Sequence, residues 1–219
     1  MEPDFWHQRW QQDLIGFHQA EVNPYLQKYL FSLELVAGDT VFVPLCGKSL
    51  DMWWLHDRGF KVLGVELSPK ASEAFFAEAG RHPSQLKTGP FTSWKSSDVE
   101  ILCGDYFDLT DDLLANVRGV YDRAALIALP AELRKSYVQH LVQIVPSNVT
   151  GLLITMEYPQ GEMQGPPFSV MQDEVESLFA DNFDIEVLED IDVLAENPRF
   201  RDRGLSSMHE KIYRFQRRF

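Results

Sequence analysis

An α/β domain built on a mainly parallel sheet is the fold class that this sequence predicts, and three observations predict it. The first is size. A chain of 219 residues with 45% hydrophobic content can bury roughly 70% of its unfolded surface in one core, without cross-links. The second is rhythm, because from residue 40 to 160 short apolar runs alternate with helical patterns, the signature of βαβ units. The third is placement: Gly47, Glu66 and Asp105 stand at or just beyond the carboxyl ends of those runs, where open parallel sheets bind ligands.

Taken in order, residues 4–37 read as helical and aromatic, with Phe5, Trp6, Trp10, Phe17, Tyr25 and Tyr29 ahead of the sheet. Thr40 to Leu45 (TVFVPL) is a β-branched run and reads as a buried first strand. The turn Cys46-Gly-Lys-Ser then leads into Leu50, Trp53, Trp54 and Leu55, spaced for one apolar helix face. Lys61 to Leu67 is the second strand, and Ser68-Pro69 caps and opens a helix through about Ala79. Residues 81–98 read as a polar insertion. Val99 to Leu102 is the third strand, Tyr121 to Leu129 carries the fourth, and Ala131 to Val145 is its helix. Gly151 to Tyr158 is the fifth strand, followed by a Gly/Pro-rich loop at 160–170. A helix from Gln172 to Phe183 precedes strands at Phe183 to Val193 and Glu210 to Phe219, so the end of the sheet is expected to turn antiparallel. No repeat or linker divides the chain, and residues 1–219 are expected to form a single domain.

Charge and composition exclude several classes. Twenty Lys+Arg against 33 Asp+Glu give −13, which repels polyphosphate and anionic membranes. The one basic stretch, Arg199, Arg201, Arg203, Arg214, Arg217 and Arg218, is expected to face mostly solvent. A small-molecule partner is therefore favoured over nucleic acid. No apolar run approaches the roughly 20 residues of a membrane span, and Met1-Glu-Pro-Asp shows no secretory pattern. Cys46 and Cys103 cannot supply a disulfide framework or a four-cysteine zinc site. His7, His18, His56, His82, His140 and His209 lack metal-ligand spacing. The expectation is a cytoplasmic protein with reduced thiols and no metal, in which nothing demands more than a monomer.

The first turn and second strand carry the most chemistry. Gly47 lets the backbone approach a ligand, and Glu66, nineteen residues on, stands where a carboxylate accepts from a ribose diol. The alternative is an ordinary turn and a solvated glutamate. Gly47-Lys48-Ser49 is not a phosphate loop, because its first glycine position holds Phe42. A dinucleotide fingerprint fails too, with Leu45 and Leu50 where glycine is needed. A nucleoside ligand without a diphosphate is left, and S-adenosylmethionine meets that description. Asp105 either accepts from an adenine amino group or caps a turn. Arg123 either meets an anionic group or pairs with Asp122 or Asp108 at the surface.

Phe5-Trp-His-Gln-Arg-Trp10, Gly16-Phe-His-Gln19, Val43-Pro-Leu-Cys-Gly-Lys-Ser-Leu-Asp-Met52, Gly64-Val-Glu-Leu-Ser68, Tyr121-Asp-Arg-Ala-Ala-Leu126 and the stretch Gly204 to Tyr213 together resemble the thiopurine S-methyltransferase family in its bacterial form. The resemblance implies a class I (Rossmann-like) S-adenosylmethionine-dependent methyltransferase. Its sheet would be seven-stranded and mostly parallel with helices on both faces, residues 1–37 forming an N-terminal helical lid and 38–219 the sheet core. It also implies donor contacts from Trp6, Trp10, Leu45, Gly47, Glu66, Asp105, Tyr106 and Arg123, an acceptor contact from Phe17, and Arg123 and Arg199 near the acceptor sulfur. Arg199 is chosen among Arg199, Arg201 and Arg203 by an ungapped count back from Gly204.

Methyl transfer from a sulfonium is an in-line displacement, so the protein mainly aligns the groups, an effect worth roughly 7–11 kcal/mol in favourable systems. Arginine is too basic to accept a proton, and Arg123 and Arg199 are therefore assigned stabilisation of an anionic acceptor. Thiopurines, related aromatic thiols, and selenium or tellurium species are the expected acceptors. A nicotinamide-dependent oxidoreductase and a non-catalytic nucleoside-binding domain are the rival readings.

Overall fold

A computed structural model of the chain describes residues 3–16 and 18–218. The strands are β1 (Thr40–Val43), β2 (Lys61–Glu66), β3 (Ser84–Thr88), β4 (Phe91–Ser96), β5 (Val99–Cys103), β6 (Val117–Arg123), β7 (Thr150–Glu157), β8 (Phe183–Asp192) and β9 (His209–Arg217). The helices are α1 (Pro3–Gln11), α2 (Pro24–Tyr29), α3 (Asp51–Asp57), α4 (Pro69–Glu78), α5 (Asp111–Leu114), α6 (Ala131–Ile144), α7 (Gln172–Phe179) and α8 (Pro198–Arg201). All the strands join one sheet in the order β3-β4-β5-β2-β1-β6-β7-β9-β8. The five central strands, β5 to β7 in that order, run parallel. Both ends turn antiparallel.

Period-two alternation builds a core on each face. In β1, Phe42 points to the side of α6 and α7, where Val120, Tyr137, Leu141, Leu153 and Phe179 are buried with it. Val41 and Val43 point the other way, to Leu26 of α2, Met52 and Leu55 of α3, and Phe75 and Phe76 of α4. Helix α4 starts where its sequence says: Ser68 Oγ accepts from Ala71 N at 3.3 Å, and Pro69 takes the first turn, where its missing N–H costs nothing. The strand order reverses between β1 and β6, which opens a crevice above their carboxyl ends.

Three expectations need correction. The sheet has nine strands among the described residues rather than seven, because the polar insertion at 81–98 itself carries two strands. They form the β3–β4 hairpin, closed by Gly89-Pro90, and β4 adds to the edge of β5. Strand β3 is almost wholly exposed, so it carries no apolar alternation to read. Second, the fourth strand is Val117–Arg123 and ends where Tyr121 to Leu129 was expected to continue. Ala124 takes φ +68°, and Asp122 Oδ1 accepts from Leu126 N at 3.1 Å, so the chain leaves the sheet after Arg123. Third, the late helix stops at Phe179, and residues 180–182 turn into β8.

The 4–37 segment divides into two parts. Leu26 of α2 and Leu33 of the following short turn are buried in the core. Helix α1 and residues 13–16, 18, 19 and 23 instead border the crevice, tied to α4 by Lys70 Nζ, 3.1 Å from Asp13 Oδ1.

Candidate active site

The crevice holds a cavity of about 760 Å³, within the roughly 300–1,000 Å³ of small-molecule sites. One end is made by the turns after β1, β2 and β5. Leu45 and Gly47 both adopt left-handed backbone, at φ +46° and +55°, which costs little at glycine and of order 1–3 kcal/mol at leucine. The turn they form is held from strand β2: Cys46 N donates to Val65 O at 3.0 Å, and Gly47 N donates to Glu66 Oε2 at 2.9 Å. The second carboxylate oxygen, Glu66 Oε1, accepts from Ser68 N at 2.7 Å. The close approach depends on Gly64, where a Cβ would fall 2.7 Å from Cys46 Sγ. Burial pushes the Glu66 carboxyl up to about 7, against the pull of its backbone donors. With the Gly47, Leu67 and Ser68 amides on it, the carboxylate still keeps acceptor capacity for a ligand hydroxyl.

Asp105 Oδ1 accepts from Phe107 N at 2.9 Å and caps the short turn Tyr106–Asp108. Tyr106 is buried, stacks on Tyr137 at 4.7 Å and donates its hydroxyl to Tyr137 O. Trp6 and Trp10 close this end from α1, with Trp10 buried. Lys48, the residue that would mimic a phosphate-loop lysine, lines the cavity and is paired with Glu78 at 2.6 Å. Cys46 is buried, and burial beside Glu66 pushes its thiol well up, so it is no nucleophile.

Arg123 pairs with neither Asp122 nor Asp108. Its Nη2 lies 3.1 Å from Asp51 Oδ2 and 2.9 Å from Ser49 Oγ. Asp51, 0% exposed, also accepts from Tyr121 Oη at 2.9 Å and Asn23 N at 2.8 Å. It thereby ties β6, α3 and the start of α2 into one buried knot. Asp122 points to the opposite face, where Tyr137 Oη donates to it at 2.6 Å and burial pushes its carboxyl up to about 6.

The other end of the cavity is lined by Ile154, Met156, Asn197, Arg199, Phe200, Arg203, Met208 and Glu210. Phe200 and Met208 belong to a small apolar cluster that seats α8. Arg199 Nη1 donates to Gly16 O at 2.6 Å and so bridges α8 to the N-terminal loop. Arg203 also lines the cavity, whereas Arg201 is 58% exposed beside Asp202. Phe17 lies outside the described residues. The structure therefore brings the other named residues, Trp6, Trp10, Leu45, Gly47, Glu66, Asp105, Tyr106, Arg123 and Arg199, around one cavity. Sequence reasoning missed Asp51, Ser49, His18 and Glu210. The Ser49-Leu-Asp51 step at the start of α3 was the available signal for the first two.

A model of the thiopurine S-methyltransferase family matches residues 1–218. The chain belongs to that family. Relatives named thiopurine S-methyltransferase include one from Nitrosospira multiformis, 52% identical over 97% of each chain. Another, from Pseudomonas putida, is 49% identical over 99% of this chain and 100% of the relative. Similar solved structures include a methyltransferase from Burkholderia thailandensis with bound 1,6-didemethyltoxoflavin and S-adenosylhomocysteine (TM-score 0.66, 15% identity, 99% of this chain and 87% of that one). A methyltransferase from Anabaena variabilis is equally similar (TM-score 0.66, 14% identity, 99% and 95% covered). The fold is that of S-adenosylmethionine-dependent methyltransferases, and as a family member the protein is an S-adenosylmethionine-dependent enzyme.

The site's chemistry fits that donor: a buried carboxylate with spare acceptor sites, a backbone turn without a diphosphate cradle, and aromatic walls. Among the described residues no group of His, Cys, Asp and Glu could hold a metal ion, and no helix is long and apolar enough to cross a membrane.

Proposed function

We propose that the protein transfers the donor's methyl group to the sulfur of thiopurines or related heterocyclic and aromatic thiols, with selenium or tellurium species as further acceptors. The observation that carries this reading is the division of the cavity. A Glu66-centred donor end meets an end lined by Ile154, Met156, Phe200 and Met208, with Arg199 and Arg203 beside them. S-adenosylmethionine supplies, when bound, a methyl group on an activating sulfonium. Glu66 and the Leu45–Gly47 turn hold its nucleoside, with Trp6, Trp10, Asp105 and Tyr106 around it and Arg123 beside its tail. Soft, polarizable acceptors suit the apolar end, and the acceptor contact assigned to Phe17 rests on the family resemblance alone.

Arg123 and Arg199 favour an anionic acceptor by charge rather than by taking its proton. Helix α1, with residues 13–16, 18 and 19 after it, acts as the lid that keeps water out. The protein works as a cytoplasmic monomer on small molecules, in keeping with its −13 charge and two free thiols. A nicotinamide-dependent reading is not favoured, because Leu45 and Leu50 occupy the glycine positions of a pyrophosphate turn.

Calorimetric titration with S-adenosylhomocysteine, with NAD and ATP as controls, tests the donor end. Micromolar binding of the first alone is expected, followed by turnover of 6-mercaptopurine. Binding without turnover of any thiol, selenium or tellurium acceptor would overturn the acceptor assignment.

A further inference from the structure

Four described carboxylates line the cavity: Asp13 pairs with Lys70, Glu66 accepts from the Gly47 and Ser68 amides, Asp105 accepts from the Phe107 amide, and Glu210 accepts from the Tyr25 hydroxyl. The fourth, Glu210, sits near the start of β9, opposite Met156 of β7 and Ile191 of β8. It shares a face with Ile212, which is packed in the α2 side of the core. Strand β9 lies four strands across the sheet from β2. At about 4.8 Å per strand, Glu210 is therefore roughly 19 Å from Glu66 along the crevice, at the acceptor end.

We propose that Glu210 accepts the ring proton of a heterocyclic thione as its sulfur is methylated. The proposal rests on the methyl-transfer reading above. A thione such as 6-mercaptopurine carries its proton on a ring nitrogen, and methylating the sulfur without removing it would leave a cation in an apolar cavity. The acceptor sulfur forms the new S–CH3 bond. The bond from that methyl to the sulfonium breaks with its electron pair returning to the donor sulfur, and the N–H proton passes to a Glu210 oxygen.

The groups facing Glu210 suit this task. Burial raises the carboxyl above its ordinary range, the Tyr25 hydroxyl from α2 and Arg123 from β6 oppose that rise, and Glu196 from the loop before α8 adds to it. A carboxylate whose basicity is raised toward the working pH is a better proton acceptor. Arg199 and Arg203, which line the cavity here, cannot take the proton at all. An acceptor that arrives as an anion gains nothing from Glu210 and is repelled by it.

The test compares Glu210→Gln with the unsubstituted protein. S-adenosylhomocysteine affinity is expected to stay within about twofold, which reports an intact fold and donor end. Calorimetric affinity of 6-mercaptopurine for the S-adenosylhomocysteine complex is expected to fall about tenfold or more, as for loss of a hydrogen bond to a charged group. The ratio of kcat/KM for 6-mercaptopurine to that for 2-nitro-5-thiobenzoate, already a thiolate at assay pH, is expected to fall about 100-fold or more. Equal losses on both acceptors, or unchanged thione affinity, would overturn the proposal.

Tyr25→Phe supplies a second arm. Removing the hydroxyl should move the acid limb of the kcat/KM profile for 6-mercaptopurine to higher pH, and an unmoved limb also overturns the proposal. Failure of the unsubstituted protein to bind S-adenosylhomocysteine would instead overturn the underlying reading.

Discussion

The two ends of the cavity are built differently. The donor end is made of backbone turns held by short, buried bonds between adjacent strands, such as Gly47 N to Glu66 and Ser68 N to Glu66. The acceptor end is assembled from side chains far apart in sequence: Arg199 reaches Gly16 across 183 residues, and Glu210 faces Tyr25. The Asp51–Arg123 knot is a third element, tying β6, α3 and the start of α2 together. The difference suggests a division of labour. A rigid end can hold one invariant nucleoside, whereas an end made of separate elements can change acceptors without disturbing it.

The largest expected effect comes from cutting the knot. Asp51→Ala takes the buried carboxylate away from Arg123 and strands the donors of Tyr121 and Asn23. Breaking such a pair costs about 3–5 kcal/mol. Urea unfolding should show that loss, and a loss under about 1 kcal/mol would mean the buried pair is not what ties β6, α3 and α2 together.

Next in size, Glu66→Gln should weaken S-adenosylhomocysteine binding about 10- to 100-fold, as expected for a hydrogen bond to a charged group. Unchanged affinity would remove Glu66 from the donor end.

The same residue predicts a pH effect. With its carboxyl pushed up to about 7 by burial, Glu66 is increasingly protonated below that pH and loses acceptor capacity, so donor affinity should rise as pH climbs from about 6 to 8. Stability moves the other way. Between the ordinary carboxylate range and 7 the folded state binds more protons than the unfolded one, so this group costs the ligand-free protein stability as pH rises. Both trends should flatten in Glu66→Gln, and a persistent affinity slope there would point to another group.

Smaller effects belong to the acceptor end. Arg199→Ala should raise the thiol KM several-fold and leave S-adenosylhomocysteine affinity within twofold, whereas a comparable loss of donor binding would erase the distinction between the ends. Arg201→Ala, at an exposed position beside Asp202, should alter neither measurement beyond twofold.

Legibility followed the same division. The parallel core was readable because buried strands such as 40–45 and 61–67 are continuous apolar runs between turn and cap residues, and Gly47 and Glu66 sit at their ends in fixed register. The β3–β4 hairpin was not, since β3 exposes nearly all its side chains and β4 is held chiefly by its ladder to β5. Strand β6 was misplaced because Arg118 and Gly119 interrupt its apolar run, while Asp122 ends it through a bond four residues ahead. Asp51 looked like one more acidic residue at a helix start. Its role depends on β6 lying beside β1, a relation no local pattern contains.

By itself the sequence determined the α/β class, the central strands, the placement of Gly47 and Glu66 at the carboxyl ends of the first two strands and the absence of a diphosphate cradle. These follow from hydrophobic periodicity and from residues within one or two elements of each other. Only the tertiary structure decided that Arg123 pairs with Asp51, that Arg199 and Arg203 rather than Arg201 face the cavity, and that Glu210 stands at its far end. Those relations are distances between side chains on different elements, set by how the sheet stacks its strands and by which face of each helix the core claims.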